Sequence, residues 1–361
     1  MSLPTFEAEH YRPILQQTSI LIIGQGLCGT WLGHYLEQAG IPFLIMDEGK
    51  NNSASQIASG IINPVTGRRL VKTWMIDDVM PFAAQSYNQF GEYAKPVSVI
   101  DFFSAPDVEV AFNKRLEEKA EYLSPIKEKD AWRHYFHFDF GAGAIEPCFL
   151  IDVKSFLQNR REHWQRKEVF IQERFEENEL KFTEEGIFCG DIEAQTIIYC
   201  DGIAAANSKY FNRLPFAPNK GEALIVEIPD LPAGHIYKKG MSLVPWKPGE
   251  FWVGSTYQWK FENDLPTQTF RENAENWLKS FCKMPFEIVD HLAAVRPATI
   301  ERRPFIGLHP LFKNIGIFNG MGTKGVSLAP YFAQQFATYL LGESTLLPDV
   351  DIKRFEKVLS R

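Results

Sequence analysis

The sequence predicts an α/β protein with an α+β portion: parallel strand–helix units at both ends of the chain and a mixed sheet between them. Three observations carry this. A run near the start reads strand, glycine turn, helix, strand and acid; alternating segments fill the middle; and a second glycine-rich loop enters a helix near the end.

In the first unit, residues 20–23 (ILII) are short, apolar and β-branched, the pattern of a central parallel strand. Gly24, Gly26 and Gly29 follow in G-x-G-x-x-G spacing, and a helix is expected over 27–38, stopped by Gly40. A strand at 43–46 then ends at Asp47 or Glu48. The glycines allow a tight turn, close backbone approach to a pyrophosphate and close helix packing; the acid is placed for a ribose hydroxyl. Together they predict a bound dinucleotide, held at the positive end of the helix.

The stretch 51–69 is rich in small and polar residues and fits no regular element of ordinary length. Ser55, Ala58, Ser59 and Gly60 would let its backbone approach a flat ligand. A helix is expected over 73–93, a strand over 97–104, a helix over 107–123 and another over 151–164 with Asp152 as N-cap. Strands follow at 168–172, 179–183, 186–189 and 195–200, the last running into Asp201-Gly202. Segments 223–228, 240–245 and 251–255 read as antiparallel strands, followed by a helix at 269–281. The end of the chain returns to the opening theme, with a strand at 315–318, the loop NGMGTKG and an amphipathic helix over 326–341. With no repeat or linker visible, domains crossed by several segments are expected rather than beads on a string.

The chain has 361 residues, 45% hydrophobic and 14% aromatic, enough for a large core. A net charge of −7 argues against a nucleic-acid or anionic membrane partner. Five scattered cysteines without a C-x-x-C pair fit a reducing compartment and no zinc site. The eight histidines show no ligand spacing, so no metal is expected. The first residues lack a signal pattern and no run is long enough to span a membrane, so a cytoplasmic location is expected.

These pieces, in this order, resemble the D-amino-acid oxidase-like FAD-dependent oxidoreductases, the glycine and sarcosine oxidase type. The resemblance runs from Ile20 to Gly342. It is carried by Gly24–Gly29 with Asp47, Ser59-Gly60, Tyr199–Gly202, Pro218-Asn219-Lys220-Gly221-Glu222, Val295-Arg296-Pro297-Ala298-Thr299, Pro304–Gly307 and Gly320–Pro330. It implies a Rossmann-type FAD-binding domain (17–80, 145–220 and 292–361) interleaved with a mixed-sheet substrate domain (81–144 and 221–291). Gly24, Gly26 and Gly29 would face the pyrophosphate, Asp47 the ribose, backbone near Phe175 the adenine, and Gly202 the pyrophosphate side, with Ser59 and Gly60 also cofactor-binding. Gly322, Thr323, Lys324, Gly325 and Val326 would meet the flavin's pyrimidine edge. Several relatives tether flavin through a cysteine in this last loop; none stands here, which implies non-covalent FAD.

The implied reaction is oxidation of a C–N bond in an amino acid or related amine by hydride transfer to flavin N5, with oxygen or a carrier as electron acceptor. Arg296 matches the family's carboxylate anchor; its alternative is a structural pair with Glu301. Lys324 would favour the reduced, anionic flavin. Arg68, Arg69 and Lys72 form either a second cationic wall or a solvated surface. Tyr257, Trp246 and Trp252 are pocket aromatics or core. Arg302 and Arg303 replace an acid–glycine pair frequent in the family, and Ser242 stands where glycine-oxidase-like relatives tend to carry an aromatic, so the substrate stays open. Two other readings remain: an FAD-dependent oxidoreductase of the tRNA wobble-uridine side chain, and a flavin-binding protein without turnover. A nicotinamide-only enzyme would leave the terminal glycine loop without a purpose.

Overall fold

The first strand extends beyond its apolar run, because polar residues at its start still pair with a neighbour: β1 spans Gln16–Ile23. The computed structural model describes residues 16–67, 69–126, 130–184 and 186–361. After β1 come α1 (Leu27–Gln38), β2 (Phe43–Met46), β3 (Ile61–Ile62), and the hairpin of β4 (Val65–Thr66) and β5 (Val71–Lys72). Then follow α2 (Ile76–Asn88), β6 (Ala94–Phe102), α3 (Pro106–Glu117), β7 (Leu123–Pro125), β8 (Ala142–Ile151) and α4 (Val153–Arg166). Four more strands are β9 (Phe170–Ile171), β10 (Lys181–Phe182), β11 (Ile187–Cys189) and β12 (Ile192–Tyr199). Next are β13 (Asn219–Glu227), β14 (His235–Lys239), β15 (Met241–Lys247), β16 (Glu250–Gly254), α5 (Gln268–Phe281) and β17 (Glu287–Arg296). The chain closes with β18 (Phe305–Leu308), β19 (Ile315–Asn319), α6 (Gly325–Leu340) and the short α7 (Glu356–Leu359).

The parallel core of the first sheet runs β9-β2-β1-β12-β19, flanked by antiparallel β11 and β18. Successive residues of β1 enter opposite cores. Ile20 and Ile22 pack with α1, α2, α4 and α6, while Leu21 and Ile23 pack with Tyr199 and Phe211. A strand buried on both faces must be apolar throughout, as its sequence is.

The second sheet is mixed, ordered β17-β13-β16-β15-β14-β6-β8-β3, with only β14–β6 parallel among the pairs of that path. Its two faces sort by the two-residue period. Leu224 and Val226 of β13 pack with Phe270 and Leu278 of α5. Ala223 and Ile225 lie on the opposite face with Trp252 and with Val65 and Leu70 from the segment after β2.

Several expected boundaries shift. The helix expected at 73 starts at Ile76 because Met75 takes a left-handed φ of 55°. The helix expected to reach 123 ends at Glu117, before the left-handed Lys119. Strands β8, β14, β17 and β18 lie where no strand was expected. The β17 sequence, EIVDHLAAVR, is an edge strand with Glu287 and Asp290 exposed, so its alternation is masked. The final helix is not amphipathic as expected but buried over most of its surface, because it packs against both α1 and α2.

One ion network ties α1 to α4. Glu37 accepts from Arg160 at 2.9 Å, His163 at 2.8 Å and Lys167 at 2.6 Å. Burial raises the Glu37 carboxyl, but the bonds from Lys167 and His163 and the nearby charges outweigh it and bring it from 4.5 to about 2. A depressed acid contributes stability above its ordinary pKa and loses it as pH falls toward the depressed one. Glu37→Gln should therefore lower the melting temperature at pH 7 by about 2 °C, for a contribution of about 1 kcal/mol after solvent screening. Thermal denaturation should show this gap closing as pH drops from 4.5 toward 2.

Candidate active site

The first glycine turn is dictated by close approach. Gly24 has φ +97°, and a Cβ there would stand 2.7 Å from the Cys200 carbonyl oxygen at the end of β12. A Cβ on Gly29 would stand 1.9 Å from the Gly24 carbonyl oxygen, so only glycine lets α1 sit against the turn. Gly26 is the extended N-cap of α1, and the Leu27 N–H donates to Ser55 Oγ at 3.1 Å. Of the two candidate acids, Asp47 belongs to the site. It accepts from the backbone N–H groups of Gln25 and Gly49, each at 2.7 Å, and Arg161 approaches it at 3.5 Å. Glu48 instead pairs with Lys50.

Other members of the cofactor set have mixed origins. Gly60, at φ +81°, would place a Cβ 2.0 Å from the Ile151 carbonyl oxygen, so its identity follows from β3 packing on β8. Ser59 beside it is half-buried. Phe175 stands edge-on to Tyr199 at 5.5 Å, and among the described residues neither its backbone N–H nor its C=O has a partner. Gly202 has φ +63° and open space at its Cβ position.

Asn319 ties the start of the terminal glycine loop to the segment after β12: its Nδ2 donates to the Gly202 carbonyl at 2.8 Å, and its Oδ1 accepts from the Gly320 N–H at 2.8 Å. Burial pushes the neighbouring Asp201 carboxyl up to about 7. The second glycine loop lies beside the first, where α1 and α6 pack together. A Cβ on Gly325 would be 3.3 Å from Leu27 Cδ1, so the N-termini of α1 and α6 converge. Within this loop Gly322 donates to the Pro297 carbonyl at 3.2 Å, Thr323 is exposed, and the Val326 carbonyl accepts from Tyr87 Oη at 3.1 Å.

The Gly322–Pro297 bond brings the end of β17, and with it Arg296, alongside that loop. Arg296 Nη1 donates to Asn219 Oδ1 at 2.8 Å and the Thr256 carbonyl at 3.1 Å, and Nη2 donates to Ser255 Oγ at 2.8 Å. Three of the five guanidinium donors are thereby used and two remain. The structural alternative fails, since Glu301 is taken by Arg354 at 3.2 Å. Among the described residues no carboxylate pairs with Arg296, and burial lowers its pKa. The guanidinium lies across Gly221, where a Cβ would be 1.9 Å from Nη2.

Lys324 is half-buried, and its pKa is lowered by burial and then by Arg303 and Arg302. Among the described residues it has no acid partner. Arg303 lies over the Trp74 ring at 4.1 Å and 3.7 Å from Asp349. Lys72 is an exposed cation between Asp77 and Glu121, and Arg69 is also exposed; Arg68 lies outside the described residues. Trp252 is core and donates to the Ile57 carbonyl at 3.1 Å, and Trp246 is half-buried. Tyr257 lies over Arg296 at 5.0 Å. Ser242 of β15 stands opposite Gly254. No group of three His, Cys, Asp or Glu among the described residues is placed to hold a metal. None of the described helices is long and apolar enough to cross a membrane. Sequence reasoning missed Asn219 and Ser255 as partners of Arg296, and Gln25, Arg161 and Asn319 as supports. A glycine inside strand β13 was the available signal for the first pair.

Comparison with known proteins places this geometry. A family model described as FAD dependent oxidoreductase matches residues 19–339. Glycine oxidase of Bacillus subtilis (strain 168) is 30% identical over 151 residues, 39% of this chain and 40% of the relative. The match thus spans about two fifths of that relative's length. Glycine oxidase from Geobacillus kaustophilus superposes with a TM-score of 0.77 at 16% identity, covering 94% of this chain and 98% of the other. Iminodiacetate oxidase from Chelativorans sp. BNC1 gives 0.72 at 17% identity, covering 93% and 98%.

The glycine cradle, the Asp47 acceptor and the free Phe175 backbone fit a dinucleotide of the FAD type. Gly29→Ala should weaken FAD binding by at least about 100-fold by displacing the turn, whereas Cys28→Ala should retain it. Reconstitution followed by flavin fluorescence quenching checks both.

Proposed function

This chain belongs to the family of FAD dependent oxidoreductases, and we propose from that premise that it oxidises the C–N bond of an amino acid or related carboxylate-bearing amine. The observation that carries this reading is Arg296: a half-buried guanidinium with two open donors and no acid partner among the described residues. A forked cation of this kind suits a carboxylate. The names of the similar proteins, glycine oxidase and iminodiacetate oxidase, support the same substrate class.

Bound FAD would supply the two-electron acceptor for the substrate carbon. The chain's own residues orient and bind. Gly24, Gly26 and Gly29 let backbone approach the pyrophosphate, Asp47 takes the ribose, and the Phe175 backbone takes adenine. The N-terminus of α6, with Lys324, would hold the flavin end of FAD, where a cation and free N–H groups favour negative charge. Arg296 holds the carboxylate, fixing where the amine-bearing carbon stands. Binding is non-covalent on this reading: the terminal loop has no cysteine, and burial pushes the Cys28 thiol up to about 12, which keeps it inert.

An anaerobic screen of amino acids, N-methyl amino acids, imino diacids and simple amines, read as loss of flavin absorbance, tests the proposal. Bleaching by a carboxylate-bearing amine is expected; a flavin that stays oxidised against the whole panel would sink it. Arg296→Met should raise KM for the acid substrate by about 30-fold or more while FAD is retained, since losing one partner of a buried charge pair costs roughly 2–5 kcal/mol. Lys324→Met should instead slow flavin reduction by about 10-fold with KM nearly unchanged, resolved by stopped-flow.

A further inference from the structure

Among the described residues, five buried side-chain nitrogens lack a hydrogen-bond partner. Four of them, on Trp31, His34, Arg160 and Trp164, belong to α1 and α4; the fifth is Nδ2 of Asn219, which touches Arg296. Asn219 is 2% exposed. A guanidinium can only donate, so the amide atom 2.8 Å from Arg296 Nη1 must be the oxygen. That fixes the amide orientation and leaves Nδ2 as a donor with nothing to accept from it, a state that buried polar groups rarely keep without a reason. Asn219 stands opposite Arg296 in the β13–β17 register, and the guanidinium lies across Gly221, two residues further along the same face.

We propose that Asn219 is a second carboxylate-binding residue, donating Nδ2–H beside the two open donors of Arg296, so that the site selects a carboxylate over its amide. This rests on the reading of Arg296 as the acid anchor. The acceptors around the site, Asn219 Oδ1, Ser255 Oγ and the Thr256 carbonyl, are all turned onto Arg296. An incoming amide would therefore set its own N–H groups against donors, which is how a site built for one hydrogen-bonding pattern rejects another. Asn219 is closed off from solvent in this arrangement, while Tyr257 lies over its partner Arg296. Its ring lies 5.0 Å from the guanidinium, yet the residue is 61% exposed.

The test titrates the FAD-loaded protein with glycolate and with neutral glycolamide, following the flavin spectrum. Asn219→Asp keeps an oxygen for Arg296 but replaces the donor with an acceptor. It should bind glycolate about 30-fold more weakly and glycolamide at least about threefold more tightly. Weaker glycolate with unmoved glycolamide would overturn the proposal, because the residue would then act only through Arg296. Should that variant lose FAD, Asn219→Leu decides: about 5- to 10-fold weaker glycolate is expected, and unchanged affinity overturns it. If Arg296→Met weakens glycolate while both Asn219 variants leave it alone, the Asn219 role falls and the anchor stands. If the unsubstituted protein binds no glycolate, both fall.

Discussion

The packing of α1 against α6 is the contact on which the rest of the molecule depends. It sets two glycine loops, from opposite ends of the chain, side by side, with Gly325 against Leu27. Each loop has its own need for glycine: Gly29 lets α1 press on the turn at Gly24, and Gly320 takes a φ of +78° where a Cβ would stand 2.8 Å from Thr299 Cγ2. Neither helix can be displaced without separating the two positive helix ends that a long dinucleotide would span. Asn319 in turn fixes the start of the terminal loop to the end of β12 by bonding to Gly202 and Gly320 together.

The second sheet divides its labour between its faces. On one face Lys220 and Glu222 are buried, Glu222 accepting from Thr267 and His291 while Lys220 reaches the Leu265 carbonyl and stands 3.6 Å from Glu222. Buried charges with so many partners resist a register slip, because shifting β13 by one residue would turn them toward the opposite face. On that opposite face the same strand presents Asn219 and Gly221 to Arg296. The charged pair thus holds the strand in the register that places Asn219 and Gly221 against Arg296. The side chain of Trp252, bonded to the Ile57 carbonyl, connects this face to the segment that follows β2.

Some glycines and acids were legible from the sequence and others were not. Gly24, Gly26, Gly29 and the acid after β2 were readable because a dinucleotide turn constrains residues close together in the chain. The strand pattern by itself left Asp47 or Glu48 and the family resemblance picked Asp47; the coordinates supply the physical reason, since Asp47 accepts from the N–H groups of Gln25 and Gly49 while Glu48 pairs with Lys50. Gly60 was readable as a special residue but for an additional reason, the close backbone of Ile151. The edge strand β17 hid behind its charges, and with it the fact that Arg296 ends a strand.

By itself the sequence determined the α/β class, the glycine turn and the terminal glycine loop, while Arg296 as an acid anchor came from the family resemblance. These are local patterns, set by backbone conformation and by the side-chain period along one element. Tertiary structure alone decided which charges are free. Glu301 is taken by Arg354, Lys72 by Asp77 and Glu121, and Arg296 has amide, hydroxyl and carbonyl partners but no carboxylate among the described residues. Pairing between groups tens or hundreds of residues apart depends on which strands adjoin and which faces meet, and no local pattern encodes that.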